Sequence, residues 1–548
     1  MKLRTSYFNG TVLRKDITRF APVWALYTIF MLLVFVALEI EKPQEMVSAL
    51  RDTLTGMSGL NILYAGIAAA MLFGDLFQSR MCNTLHTFPM RREGWFFTHL
   101  TAGILFCLVP NLLIVILASF TLKSLFYIGF VWLAVTLLQY LFFFGIATLS
   151  ALCAGSRLGM AAVYCLINFL SWLVYYLAEI FYIPLLHGIE ADLSIFSFFS
   201  PVVHMSGHKY FEFIPYTGDF QSFIPEDWSY LLTVAAIGLG ALALALLAYR
   251  RRHLERASDF ISVAFLRPVF LVIATVGAGA VMHAFGTLFS EDVQYLFAIA
   301  GLAIGFFAGR MLLMRTVKVF HPKAFGAFVL IVAALGLSMG LTRLDPLGIT
   351  TYVPDAQQVE KVTLRTTSGT NYKYYGGPIV TLTEESDIAE ILELHQTLTT
   401  QEDAESKAVD LYMEYTLKAG NTVRRYYRVA ADTDQGQLLN KFFSSWQCVF
   451  RADNWESFKN SIQKIYVEHP YTLFTPDKWD ELLAAMYKDC LEGNLAQEWV
   501  FHQNEEHKGW VEIAVLNQAS QGHYLSINIY ESCTNTIAVL EKYAVVEE

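Results

Sequence analysis

Long apolar runs alternate with short polar connectors along the chain up to about residue 343. A helix needs about 20 mostly apolar residues to cross a hydrocarbon core about 30 Å thick. Nine runs meet this length, so the pattern predicts an α-helical polytopic membrane protein with about nine transmembrane helices. The predicted spans are Phe20–Ile40, Met57–Phe77, Leu100–Phe120, Leu125–Cys153, Met160–Leu186, Ser229–Tyr249, Leu266–Phe289, Val293–Leu313 and Ala324–Leu344.

The composition agrees with this pattern and divides the chain into two parts. Of the 548 residues, 55% are hydrophobic and 16% are charged, whereas soluble domains average about 25% charged residues. From residue 345 onward the apolar runs are short, and Asp and Glu are frequent. Most of the net charge of −10 lies in this C-terminal part, so the acidic balance of the chain is not informative about the membrane part.

Lys and Arg fall in alternate connectors, which predicts the orientation of the spans. The N-terminal segment and the connectors after the second, fourth, sixth and eighth spans are basic, and the others are acidic. All basic connectors lie on one side only if nine spans are counted. We therefore expect a multi-pass protein of the plasma membrane, with a cytoplasmic N-terminus and an extracytoplasmic C-terminal domain.

The N-terminal twenty residues carry a helical apolar stripe with Lys and Arg between its members, namely Phe8, Val12, Leu13, Ile17 and Phe20. This pattern predicts an amphipathic helix at 1–19 that lies in the plane of the lipid headgroups before the first span. The alternative is an ordinary frayed N-terminus.

Residues 345–548 show an α+β pattern that occurs twice. Each copy has an alternating strand, a helix and then a hairpin, and the first strands are Val359–Leu364 and Ile462–Val467. We predict an α+β domain with possible tandem repeats at 357–445 and 460–545, the second with an insertion around 491–508. The alternative is a chance similarity between two generic α+β patterns.

Three of the seven cysteines, Cys448, Cys490 and Cys533, fall in this C-terminal domain. Their spacing is not that of a metal site. An odd number of cysteines allows at most one disulfide bridge, and three free, buried thiols are the alternative.

The common catalytic motifs are missing from the sequence. It contains no Gly-x-x-x-x-Gly-Lys-[Ser/Thr] phosphate loop, no Gly-x-Ser-x-Gly elbow and no His-Glu-x-x-His motif. We therefore predict no catalytic residue, no cofactor and no ATP hydrolysis by this chain. His204 and His208, with His187, suggest a metal site, but the glycines and prolines around them predict an irregular loop. We assign no metal ligand.

Charged groups deep in a span mark ion or proton paths, and the predicted spans contain few of them. Three ionisable residues lie near span ends, where they reach the interface: Asp75, Glu179 and Arg310. The deeper groups are His283 and three amides of the kind that join helices by hydrogen bonds, Asn111, Gln139 and Asn168. An ion-coupled carrier is therefore not favoured, and we expect another source of energy.

The connector between the second and third spans, Arg80–Glu93, is more elaborate than a plain loop. It contains a possible short helix and a Phe88-Pro-Met-Arg-Arg-Glu93 turn, and it follows Gly74-Asp75. Together with Arg80 and Leu85, these residues resemble the coupling helix of ABC-2 type permeases, the membrane subunits of ATP-binding-cassette exporters. Positive-inside charge alone would explain the arginines, but not Phe88-Pro89 or the length of the connector.

The resemblance extends over most of the chain. It implies a six-span permease core at 20–249, followed at 250–344 by a basic loop and three further spans, as in a subgroup with extra spans and a C-terminal extracytoplasmic domain. Tyr249–Ala257 resembles the sequence that follows the sixth span in that subgroup. The long loop at 187–228 departs from the shortest family members and leaves open whether their re-entrant helices are kept.

The resemblance also implies partners and contact residues. We expect two copies of an ABC ATPase subunit, a homodimer or a heterodimer with a related permease, membrane lipids and no nucleic acid. The residues expected to contact the ATPase are Asn83, Leu85, His86, Phe88, Pro89, Met90, Arg91, Arg92 and Glu93. A possible second cytoplasmic contact consists of Arg157, Arg252 and Glu255.

The function that this resemblance implies is export of an amphiphilic substrate (a peptide, an antibiotic or a lipid-like molecule) with ATP hydrolysed by the partner. The alternative is a membrane sensor or resistance component whose outer domain binds a peptide or envelope ligand. The size of the C-terminal part, about 200 residues, motivates this alternative.

Overall fold

A computed structural model describes the protein at residues 8–39, 43–86, 90–122, 126–190, 196, 198–213, 223–251, 259–366, 379–401, 403–404, 408–450, 455–467, 472–495, 502, 505–516 and 522–544. The described chain is mostly helical. It divides into two compact units: Met1–Ile180 with Leu193–Ser338, and Phe181–Asp192 with Met339–Glu548.

The first unit is built of helices. In chain order they are α1 Gly10–Arg19, α2 Ala21–Glu39, α3 Pro43–Leu72, α4 Ser79–His86, α5 Arg92–Leu122, α6 Phe126–Cys153, α7 Arg157–Leu177, α8 Pro201–Gly207, α9 Trp228–Arg251, α10 Leu266–Gly286, α11 Glu291–Met314 and α12 Pro322–Arg343. A 3₁₀ turn, Gly74–Phe77, follows α3, and a short hairpin pairs β1 Phe211–Phe213 with β2 Phe223–Pro225.

Eight helices in the described ranges are long and apolar enough to cross a membrane, and there are up to nine if the bent pair α1–α2 is one span. The axes of α1 and α2 differ by 62°. Helices of this number, length and composition are typical of a multi-pass membrane protein.

Helix α6 is the centre of the first unit. Of the 18 most apolar consecutive residues of α6, 67% are buried inside the protein, whereas the corresponding share for α12 is 6%. Gly145 of α6 and Gly238 of α9 allow the two backbones to touch, because a Cβ on either would collide with the other helix. The Gln139 side chain accepts a hydrogen bond from Asn61 of α3 at 3.0 Å.

The polar residues deep in the spans bond in two ways. Asn111 of α5 donates to the Tyr27 hydroxyl of α2 at 3.0 Å, so it joins helices as Gln139 does. Asn168 instead donates to the carbonyl of Tyr164 in its own helix. The interrupted eighth span is one continuous helix, α11, and Gly301 and Gly305 are where it packs closely against α10.

The prediction of an irregular loop around His204 and His208 was wrong at His204, whereas His208 follows the helix in extended backbone. Pro201–Gly207 forms the helix α8, with the proline in its first turn, where the missing N–H costs nothing. Two of the prolines and glycines that suggested a loop, Pro201 and Gly207, are its first and last residues. His187 belongs to the other compact unit, where its Nε2 is hydrogen-bonded to the Leu398 carbonyl at 3.0 Å.

The second unit contains two four-stranded antiparallel sheets, each with helices packed against it. The elements of the first sheet are β3 Val359–Thr366, β4 Ile379–Leu382, α13 Glu385–Leu398, β5 Ala408–Leu417, β6 Thr422–Ala430 and α14 Asp434–Phe443. Two short helices, α15 Trp446–Phe450 and α16 Trp455–Ser461, follow. The second sheet has β7 Ile462–Val467, β8 Thr472–Phe474, α17 Trp479–Leu491, β9 His507–Leu516, β10 Gly522–Tyr530 and α18 Thr534–Ala544.

The two sheets have the same topology. The strand order is β4-β3-β5-β6 in the first and β8-β7-β9-β10 in the second. Each sheet has a separate hydrophobic core. Asn440 of α14 and Ser444, which directly follows α14, donate to the Gly493 carbonyl at 3.3 and 3.2 Å. These bonds join the first half of the domain to the second.

Cys448, Cys490 and Cys533 are free and buried. Burial raises the pKa of the Cys533 thiol to about 12, so this thiol stays protonated and unreactive at neutral pH. Of the two alternatives, one disulfide bridge or three free, buried thiols, the structure has the three free thiols.

The segment that follows α7 is part of the second unit. Ile189 forms an antiparallel bridge with Arg425 of β6, and the Tyr426 amide donates to the Gly188 carbonyl at 3.3 Å. Gly188 has a φ of +73°, and a Cβ there would collide with the Tyr427 ring. Glycine is therefore required for this segment to extend the edge of the first sheet.

His395 is fully buried in the core of the first sheet. Its Nδ1 is hydrogen-bonded to the Tyr415 hydroxyl at 3.0 Å, and its Nε2 has no hydrogen-bond partner among the described residues. Burial, and then the charge of the nearby Arg425, lower the pKa of His395 from 6.5 to about 3. The folded domain therefore holds a neutral imidazole.

Acidification should destabilise the C-terminal domain through His395. Because the folded pKa is about 3 and the ordinary value is 6.5, the unfolded chain binds a proton that the folded one does not. The stabilisation is complete above pH 6.5 and is lost as the pH falls toward 3, by at most about 1.4 kcal/mol per pH unit. Hydrogen exchange of the full chain at several pH values measures this loss.

The control variants are His395→Gln, which can still accept the Tyr415 hydrogen bond, and His507→Gln at an exposed histidine of the same domain. We expect a flatter pH dependence in His395→Gln and no change in His507→Gln. Equal slopes in wild type and His395→Gln would contradict the assignment.

Candidate functional site

One end of the helical unit brings together α1, the 3₁₀ turn after α3, the first turns of α5 and the last turn of α9. We call this surface the end face and define it by residues 9–19, 74–77, 90–99 and 249–251. It contains residues 90–93, the end of the connector that the sequence singled out.

The start of α1 is fastened to the start of α5. Asn9 caps α1, because its side-chain oxygen accepts hydrogen bonds from the amides of Thr11 and Val12 at 3.0 and 3.2 Å. The Asn9 amide donates to the Thr98 hydroxyl at 3.2 Å, and the Asn9 side chain contacts the sulfur of Met90 at 3.4 Å. The cap of α1 and the end of the connector therefore share one residue.

A buried polar pair holds the middle of α1 against α5. Nδ1 of His99 donates to the carboxylate of Asp16 at 2.8 Å, and the two residues are 6% and 5% exposed. The His99 ring is stacked on Trp95 and lies edge-on to Phe73. A buried carboxylate is stable only with such a partner, so Asp16 fixes the face of α1 that meets the protein.

The end of α1 contacts the turn after α3. Arg19 and Asp75 form an ion pair at 3.4 Å, in which Arg19 is exposed. Arg157, at the start of α7, lies beside Gly74, with its guanidinium 3.7 Å from the position of a Cβ on that glycine. Exposed ion pairs contribute at most about 1 kcal/mol, so this contact orients the turn more than it stabilises it.

The start of α5 is joined to the end of α9 by charged groups. Arg92 donates to the carbonyl oxygens of Tyr249 and Arg250 at 3.4 and 3.2 Å. These carbonyls belong to the last turn of α9, which carries the negative end of the helix dipole. Glu93 forms an ion pair with Arg250 at 3.0 Å. Beneath them, buried Phe96 contacts the ring of Tyr249.

The two adjacent arginines of the connector therefore have different environments. Arg92 is half-buried and bonded to α9, whereas the side chain of Arg91 is exposed. The exposed basic residues of the end face are Arg14, Lys15, Arg19, Arg91, Arg250 and Arg251. The face is thus positively charged around Arg91.

The predicted contact residues are only partly within the described structure. Asn83, Leu85 and His86 lie on α4. For these three residues the structure describes the backbone and not the side chains. Phe88 and Pro89, together with Arg252 and Glu255 of the second predicted contact, lie outside the described residues. Met90, Arg91, Arg92 and Glu93 belong to the end face, and Arg157 lies next to its turn at Gly74.

Sequence reasoning missed the pair formed by Asp16 and His99. A signal was present, because Asp16 is three residues after Leu13 and four before Phe20, on the apolar stripe of α1. An acidic residue on an apolar stripe indicates a buried partner. The helix predicted for the N-terminus is present as α1, and Leu13 and Ile17 pack against the core of the first unit.

Comparisons of the chain with protein-family models, curated proteins and solved structures found no match.

Loss of the His99 side chain should release α1. In His99→Ala the buried carboxylate of Asp16 has no partner, which costs about 3–5 kcal/mol. Trypsin cleavage after Arg14 and Lys15, followed by mass spectrometry of the full chain, should become at least tenfold faster, because cleavage follows the opened population of α1.

Asp75→Asn is the matched control, since it breaks only the exposed pair with Arg19 and should leave the cleavage rate within about twofold. If His99→Ala is cut at the wild-type rate, the pair does not hold α1.

Proposed function

We propose that the chain is the membrane subunit of an ATP-binding-cassette exporter of the ABC-2 permease type. It would carry an amphiphilic substrate outward with ATP hydrolysed by a separate subunit. The observation that carries this proposal is the end face, where the connector after α3 continues into α5 and is bonded to α1 and α9.

The contacts of the end face suit the transmission of force. Residues 90–93 lead into α5 without a loop, because α5 begins at Arg92. Arg92 and Glu93 hold the end of α9, and the pair of Asp16 with His99 holds α1. A displacement of residues 90–93 would therefore move α5, α9 and the α1–α2 pair together, and with them the path of the substrate.

The charge of the end face supports a protein partner in the cytoplasm. Basic residues concentrate on the cytoplasmic side of membrane proteins, and this rule assigns the end face to that side and the C-terminal domain to the opposite side. An acidic surface on the ATPase would complement Arg91 and its neighbours. Two ATPase subunits and a second permease, identical or related, would complete the transporter.

A sensor remains the second candidate, favoured by one observation. The segment after α7 belongs to the C-terminal domain, where Glu190 also forms an ion pair with Arg365 at 3.4 Å. A ligand that shifted the first sheet would thereby pull on the end of α7. In this second function, the chain would act without an ATPase.

Co-purification distinguishes the two functions. The full chain is expressed in its native host, solubilised in mild detergent and tested for an ATPase that is recovered with it. We expect a nucleotide-binding subunit in the purified complex and ATP hydrolysis by that complex. Arg91→Glu should lower its recovery about tenfold or more, because like charges would face each other. Arg92 is unsuitable for this test, since it stabilises the fold.

Lys318→Glu is the matched control, as Lys318 is an exposed basic residue in another connector predicted on the same side. It should leave recovery unchanged. Equal recovery with wild type and Arg91→Glu would reject the end face as the docking surface. A wild-type chain that brings no ATPase would reject the transporter and favour the sensor.

A further inference from the structure

We propose that His204, His208 and Asp227 form a binding site for a divalent transition metal ion, for which Zn²⁺ is the best fit. The three residues lie in the first unit, between α7 and the first turn of α9. The sequence drew attention to His204 and His208, but with His187 and not with Asp227, which is far from both along the chain.

The backbone brings the three side chains together. His204 lies in α8 and His208 directly follows it, so that their rings stack with centroids 3.8 Å apart and planes 13° from parallel. Asp227 immediately precedes α9, and its carboxylate is 2.7 Å from Nε2 of His204. One possible ligand atom from each residue lies within 4.8 Å of the others.

The donor set is one that zinc prefers. Zinc takes imidazole nitrogen and carboxylate oxygen at about 2.0–2.2 Å, and three protein ligands leave one position for water or a fourth group. Because His208 is exposed, a rotation of its side chain can close the remaining distance. The ion would then occupy the place of the proton shared by His204 and Asp227.

The tautomer of His208 supports the role of a ligand. Its Nδ1 lies 3.0 Å from the backbone carbonyl of His204, so that nitrogen carries the proton and donates it. The lone pair is consequently on Nε2, which is the free coordinating atom. A backbone carbonyl that fixes the second ring nitrogen is the usual support of a metal-bound histidine.

The environment of His204 points the same way. His204 is buried, with 7% of its surface exposed. The ring packs on Tyr230, whose hydroxyl donates to the Phe198 carbonyl at 2.9 Å. Its position is therefore set before any ion arrives.

Asp227 has a strained backbone. Its φ of +57° lies in the left-handed region, which few residues other than glycine adopt. Such strain persists where the surrounding structure requires it and is common at functional sites. Here it directs a carboxylate from the start of α9 to α8, so a bound ion would cross-link the two helices.

Zinc binding to the full chain, purified without a polyhistidine tag, tests the proposal. Isothermal titration with ZnCl₂ should give about one equivalent, and zinc should raise the melting temperature, because an ion that binds only the folded state stabilises it. MgCl₂ should do neither, since Mg²⁺ prefers oxygen ligands.

His208→Gln is the decisive variant, because it removes a ligand and leaves the hydrogen bond between His204 and Asp227 intact. We expect its zinc affinity to fall at least tenfold and its melting temperature without zinc to stay unchanged. Asp227→Asn should also weaken binding, and His507→Gln, at an exposed histidine of the other unit, should not. Wild-type protein that binds no zinc, or equal binding by wild type and His208→Gln, would overturn the site.

Discussion

The buried contact between Asp16 of α1 and His99 of α5 is the interaction on which the end face depends. Separating two such groups leaves a buried charge without a partner, which costs several kcal/mol. The surrounding contacts are weaker, because the pair of Arg19 with Asp75 is exposed and exposed pairs contribute little. While Asp16 and His99 stay together, Asn9 remains beside Met90 and Thr98. Helix α1 therefore packs against the end of the connector.

Much of the helical unit could be predicted from the sequence, because the thickness of a bilayer sets the length of an apolar run. The side-chain contacts of the end face could not. Arg91 and Arg92 are adjacent and chemically identical, but Arg91 precedes α5 whereas Arg92 is its first residue and donates to the carbonyls of α9. Which one is exposed depends on where α9 ends, and that is tertiary information.

The errors and omissions of sequence reasoning have physical causes too. Pro201 and Gly207 suggested a loop, although a proline in the first turn and a glycine at the end are also the boundaries of a short helix. In the C-terminal domain, alternation indicated both sheets because one face of each strand is buried. No pattern indicated that Asp489 of α17 would be buried and accept hydrogen bonds from the amides of Asn535 and Thr536. That contact needs two helices to meet.

The proposed docking of an ATPase on the end face is tested most directly by a contact from a single position. A photo-crosslinking amino acid in place of Arg91, activated in native membranes, should link the full chain to a nucleotide-binding subunit, and the same group in place of Lys318 should not. Crosslinks from position 91 to lipid alone, or equal crosslinking from both positions, would contradict the account.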